Sequence, residues 1–285
     1  MRGYTSVVLG SICFAFIGIF TNLVGTSVHP LTLSFYRVFF GVIFLGIIMF
    51  RLEPKFLKVK MKDLKHYIVV GFIMAIAIGF FVSAFFFTPI ANVVLLDYLY
   101  PVFIIPLSVF FLKEKITRNE TFALLLALLA VFIINPLSSG YMFGNMLAVL
   151  GAVFMAILMV YMRFEDRTHS IGSVFWFLLF ATVFLSPAPI IFGLGNFLPK
   201  IHWIILLGVV STGLAYIFIN YALEKLNAER VAVIDLTLVP LFAIIMGTLF
   251  IKQIPSLNVI VAGVILIGSS LIIKKHKHHR ILKKG

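Results

Sequence analysis

The chain is a succession of apolar runs, each about 20 residues long, separated by short polar connections. Coiled as a helix, a run of that length covers roughly 30 Å, the thickness of the hydrocarbon core of a bilayer. A barrel strand would instead be about ten residues long and alternate in polarity. These runs do not alternate, so the sequence predicts an all-α integral membrane protein.

Ten spans are predicted, at about 5–24, 31–50, 65–88, 91–112, 119–135, 142–162, 170–192, 201–223, 229–251 and 256–273. Hydrophobic residues make up 62% of the chain and charged residues 12%, whereas soluble domains are about a quarter charged. The connections leave no room for a soluble catalytic or nucleic-acid-binding domain. The first run follows Arg2, yet it is too long for a signal-peptide core and no small-residue cleavage pattern follows, so it is expected to remain as a span. The single cysteine, Cys13, lies inside it and is expected to be packing material.

Lys and Arg in short loops set orientation. With the N-terminus in the cytoplasm, twenty basic residues fall on that side, only Lys200 and Lys252 fall outside, and Arg37 lies within a span. Both termini are therefore predicted to be cytoplasmic, in the cytoplasmic (inner) membrane. The net charge of +13 then reflects topology and contact with anionic headgroups rather than nucleic acid, and the tail KKHKHHRILKKG belongs to the same pattern.

An internal repeat is visible in the letters. LGSICFAFIGIF at 9–20 matches LGAVFMAILMVY at 150–161, placing Gly10 on Gly151, and FYRVFFG at 35–41 matches FWFLLFA at 175–181. Pro101 falls on Pro240, Phe111 on Phe250 and Lys113 on Lys252. The expected organisation is a first five-helix repeat at 1–138, a second at 139–273 and a basic cytoplasmic tail at 274–285. Because five is odd, the second copy enters from the opposite side of the membrane, and two inverted halves can open a shared site alternately to either face.

The stretch YLYPVFIIPLSVFFLKEKIT at 98–117, followed by an apolar helix, resembles the end of the EamA-like unit in the drug/metabolite transporter superfamily. The resemblance spans essentially the whole chain and is weaker in the second copy, where Gln253 matches Glu114. It implies a ten-helix carrier with a central cavity lined by both halves, moving metabolites such as amino acids, often outward.

Three ionisable residues lie well inside spans: Arg37, Asp97 and Asp235. A charge at the centre of a helix costs about 2.5–3.5 kcal/mol even on the lenient insertion scale, so such residues face a cavity or a partner. Counting helical rise places Arg37 and Asp97 in the outer third of the membrane and Asp235 in the inner third. Arg37 and Asp97 are candidates for an outer gate or substrate pair, and Asp235 for a carboxylate carrying a coupling proton; the competing reading is a permanent bridge and a packed aspartate. Thr212, Tyr216 and Asn220, spaced by four, line one helix face and are candidate cavity residues, with interhelical hydrogen bonding as the alternative. Tyr98 and Tyr100 read as interfacial belt residues. Pro101 and Pro240 are candidate helix breaks or hinges.

The function expected is secondary active transport of a small metabolite, an amino acid or related compound, by alternating access, with proton-coupled export as the favoured form. A lipid flippase or scramblase is the alternative. An intramembrane aspartyl protease fits less well, because the second aspartate sits in Ala232-Val233-Ile234-Asp235 rather than in a Gly-x-Gly-Asp context. No phosphate-cradling loop, metal-binding motif or nucleophilic triad is apparent, so neither enzymatic activity nor a metal or other cofactor is expected. The expected partners are a small-molecule substrate and membrane lipids, with a homodimer also open to it and no nucleic acid.

Overall fold

The structure is a computed structural model and describes residues 2–52, 61–113, 118–134, 140–164, 171–226 and 228–268. Among these residues the regular structure is entirely helical. Helix α1 is Arg2–Val24, α2 is Pro30–Leu52 and α3 is Met61–Ala84. Helices α4 (Ile90–Asp97) and α5 (Tyr100–Leu112) follow, then α6 (Arg118–Ile134) and α7 (Met142–Phe164). Next come α8 (Ile171–Leu185), the short α9 (Pro187–Ile191) and α10 (Ile201–Gly208). A π turn, Val209–Leu214, joins α10 to α11 (Ala215–Lys225), and α12 (Ala228–Ile251) and α13 (Leu257–Gly268) complete the order.

Eight helical segments among the described residues are long and apolar enough to cross a membrane. Two of the ten predicted spans correspond to shorter apolar helices, α6 with 17 residues and α13. The predicted tail 274–285 and most of the basic connections that argue orientation, at 53–60, 114–117 and 165–170, lie outside the described residues.

Proline explains where several spans stop. The third was expected to reach residue 88, but α3 ends at Ala84. Residues preceding a proline avoid the α region, and the chain turns through Phe85–Phe87 before Pro89 caps α4. The fourth was expected as one helix and is two. Pro101 has no N–H to give the carbonyl of Asp97, and its ring crowds that same carbonyl. The helix yields just before it: the Leu99 N–H bonds the Leu96 carbonyl at 3.2 Å, and α5 restarts with Pro101 in its first turn. Pro240 stands inside an unbroken α12, where it likewise withholds a donor from the carbonyl of Leu236, next to Asp235.

In lipid, helices gain no hydrophobic advantage from meeting one another, so small residues and van der Waals contact decide the packing. Helix α1 lies against α11 and α12, while α7 lies against α3, α4 and α5. Helix α3 also packs on α8, and α2 packs on α10 and α8. Gly208 shows how close the approach is: a Cβ there would sit 2.9 Å from the Arg37 carbonyl and 2.5 Å from the Phe40 Cβ. The largest fully buried side chains, among them Leu33, Leu95, Leu178 and Leu207, come from both parts of the sequence.

Among the described residues two non-glycine positions have positive φ, Lys113 at 53° and Lys252 at 59°. The internal repeat superposes these two lysines, and each closes its helix, α5 and α12 respectively, in the left-handed conformation that ends many helices.

One end of the bundle is laced shut. The Gln253 side chain accepts a 2.9 Å bond from the Ile90 N–H at the start of α4 and reaches Asn22 at the end of α1, at 3.4 Å. Thr88 donates to Asn145 at 2.8 Å, joining the entry of α4 to that of α7. Thr32 and Tyr36 donate to the carbonyls of Gly193 and Leu194, and His29 stacks on Phe192 with centroids 3.9 Å apart. This end carries Lys200 and Lys252, the two lysines that the charge pattern assigns to the outside.

A candidate substrate site between the two parts of the chain

Arg37, on α2, is 5% exposed. Its Nε–H donates to Thr212 Oγ1 at 3.2 Å, and its guanidinium stands 5.8 Å from the centre of the Phe81 ring. Its Nη1 is buried and has no hydrogen-bond partner among the described residues. The bond to Thr212 depends on an approach that only glycine allows: a Cβ on Gly41 would meet Thr212 Cγ2 at 2.9 Å. Thr212 itself belongs to the π turn. Such turns widen a helix by one residue and recur at functional sites; here the turn lies where α2 comes nearest.

Asp97, at the last position of α4, is 8% exposed and lies against α7, with its Oδ1 2.9 Å from the position a Gly151 Cβ would take. Asp235, on α12, accepts a 2.8 Å hydrogen bond from the Ser11 hydroxyl of α1. Each aspartate thus meets the helix that opens the other part of the chain, Asp97 at Gly151 and Asp235 beside Gly10.

No ion pair joins Arg37 to Asp97 among the described residues. Arg37 is nonetheless within electrostatic reach of Asp97, Tyr98 and Tyr216. Tyr98 and Tyr100 are in turn within reach of both Asp97 and Asp235. Tyr98 and Tyr100 thus link the two aspartates electrostatically, with Arg37 on the side of Asp97. Tyr98 and Tyr100 face inward, partly buried against the core, with centroids 6.2 Å apart. Packing against the core, rather than exposure at the bundle's surface, replaces their reading as belt residues. Phe14 meets Tyr216 edge-on at 5.4 Å and Phe177 lies 6.3 Å from it.

Of the face Thr212, Tyr216 and Asn220, the first two reach Arg37. Asn220 instead donates to the carbonyl of Tyr216 on its own helix, at 2.9 Å. Tyr216 and Asn220 share the regular helix α11 beyond the π turn, and Asn220 stands about 6 Å farther along it. Residues not anticipated from the sequence are Ser11, Phe81 and Gly151 as direct neighbours of the charges. The match of Gly10 to Gly151 was the signal for the last of these.

A family comparison places this arrangement. The EamA-like transporter family matches residues 1–135 and again residues 142–274. The chain belongs to the EamA-like transporter family. Among similar EamA-like proteins is an uncharacterized transporter of Archaeoglobus fulgidus, 26% identical over 272 residues, 95% of each chain. The pseudopaline exporter CntI of Pseudomonas aeruginosa strain PAO1 is 26% identical over 281 residues, 96% of each chain. A solved crystal structure covering 95% of this chain and 94% of its own superposes with a TM-score of 0.63 at 18% identity, a likeness of fold. This member of the family is thus a multi-pass membrane transporter and not an enzyme.

Proposed function

We propose that this transporter is a secondary carrier that moves a small carboxylate-bearing metabolite, an amino acid or related compound, outward by alternating access between two inverted five-helix repeats. The observation that carries the reading is Arg37: a buried guanidinium, held by one bond to Thr212, with Nη1 left without a partner. A charge at this depth costs about 2.5–3.5 kcal/mol, and interhelical hydrogen bonds in lipid average only about 0.6 kcal/mol and reach about 1.7. Thr212 alone does not offset that cost. A substrate carboxylate does, through charge-assisted bonds to the remaining donors.

Asp97 suits the other end of a zwitterion. Asp97 faces the bound solute, while Asp235 carries the coupling proton and hands it to or takes it from the tyrosine-lined region. Support for inverted repeats comes from contacts that occur in exchanged pairs: α1 with α11 and α12 answers α7 with α3, α4 and α5, and α2 with α10 answers α8 with α3. The matched left-handed lysines point the same way, as does the double family match. Ten crossings, with α6 and α13 as the fifth of each repeat, and cytoplasmic termini complete the proposal. The end laced by Gln253 is then the closed outer gate.

The test is transport into and out of proteoliposomes containing the full chain, with a panel of radiolabelled amino acids and an imposed pH gradient. A proton-coupled flux that Arg37→Ala abolishes is expected. Asp235→Asn is expected to keep solute exchange but lose its dependence on the gradient. Undiminished coupled transport in Asp235→Asn ends the proton role, and translocation of fluorescent lipid without any solute flux replaces the reading with a flippase.

A further inference from the structure

A groove of about 410 Å³ opens on the outside of the bundle between α2 and α8. Ile43, Gly46, Ile47 and Phe50 of α2 and Phe175 of α8 line it, and Arg51 closes one end. Its floor exists because residue 46 is glycine: a Cβ there would meet the Phe175 ring at 3.2 Å. Its rim is apolar and open, with Ile47 55% and Phe50 73% exposed. From Ile43 to Arg51 the helix rises about 12 Å, so the groove runs along the helix axis and ends in a cation in the last turn of α2.

In a membrane protein a concave apolar slot of this length fits an acyl chain, but lipid chains alone do not distinguish one lipid from another. The cation does. Arg51 stands where the span ends, at headgroup depth, and no carboxylate pairs with it among the described residues. Guanidinium holds phosphate through paired hydrogen bonds and is always charged. It lies on the face where the sequence concentrates Lys and Arg, the face that meets anionic phospholipid. We infer that the groove between α2 and α8 is a seat for one anionic phospholipid, its phosphate on Arg51 and one acyl chain lying over Gly46 and Phe175. The seat is separate from the Arg37 region, which none of its lining residues includes.

The delipidated full chain, titrated with phosphatidylglycerol and with phosphatidylcholine and read by native mass spectrometry, tests this. A basic residue near the surface predicts about a fivefold preference for the anionic lipid, lost in Arg51→Gln, an exposed position where packing is untouched. Gly46→Leu, which fills the slot, is expected to weaken both lipids. Independently of that variant's folding, a phosphatidylglycerol with a diazirine in its acyl chain should label α2 between residues 43 and 51. Equal binding of the two lipids, a preference that survives Arg51→Gln, labelling elsewhere, or a second copy of the chain covering this face would each overturn the inference.

Discussion

Placing a methyl group at Gly151 separates what holds the bundle together from what it does. A Cβ at Gly151 would lie 2.9 Å from Asp97 Oδ1, while the next atoms, the Phe81 nitrogen and the Ala77 carbonyl, are at 3.4 and 3.6 Å. Only the carboxylate is in the way, and a carboxylate can turn. A rotation of about 30° off its preferred position costs about 0.5–1.5 kcal/mol. Gly151→Ala should therefore leave the helices where they are and displace the Asp97 carboxylate by roughly half an ångström, enough to weaken a positioned contact to the substrate severalfold or more.

Gly208→Ala is the contrast. There the new atom would meet the Phe40 Cβ at 2.5 Å and two backbone atoms, the Arg37 carbonyl and the Gly41 nitrogen, at 2.9 Å. Backbone cannot rotate out of the way, so α2 and α10 must part, at the 1–3 kcal/mol typical of overpacking. Thermal unfolding in detergent and substrate flux in proteoliposomes, measured on both variants, read the two costs. Gly151→Ala should unfold near the parent's temperature with transport reduced severalfold or more; Gly208→Ala should unfold several degrees early. Full transport in Gly151→Ala would refute the idea that the seating of Asp97 matters to the substrate.

Thr212→Val removes the acceptor for the Arg37 Nε–H while keeping the shape, and should cost up to about 1.7 kcal/mol of stability together with a larger loss of transport. Thr212→Ser, which restores the hydroxyl, should recover most of both when measured by the same two assays. Gln253→Ala deletes the acceptor for the Ile90 N–H. With a net hydrogen-bond worth of about 1 kcal/mol, amide exchange at Ile90 should quicken roughly fivefold, and a cysteine placed at position 22 should become easier to label from the outside; unchanged exchange would mean the outer end is held closed elsewhere.

The membrane class, most of the spans and the three charges within spans were legible in the letters, because length and hydropathy alone decide what can cross a bilayer and what is costly inside one. The letters also pair Gly10 with Gly151 and Lys113 with Lys252, and both of these lysines take the left-handed conformation. Pro101 announced a break, since a missing N–H is a local fact, although its position at Tyr98–Leu99 depended on where the strain could be relieved. Asn220 shows the limit of periodicity: a four-residue spacing puts a side chain on a face but not against a partner, and Asn220 turns back to the Tyr216 carbonyl of its own helix.

Sequence by itself determined that this chain lives in lipid as a bundle of helices, and which few side chains would be expensive there. It could not say which of them would meet. That Arg37 bonds Thr212, 175 positions away, follows from how closely α2 approaches across Gly41 and Gly208, and Asp235 takes its hydrogen bond from Ser11, 224 positions away, where α1 packs on α12. Apolar side chains in lipid do not select their neighbours by burial. Shape at the contact does, and shape is a property of two surfaces together, which no single stretch of sequence contains.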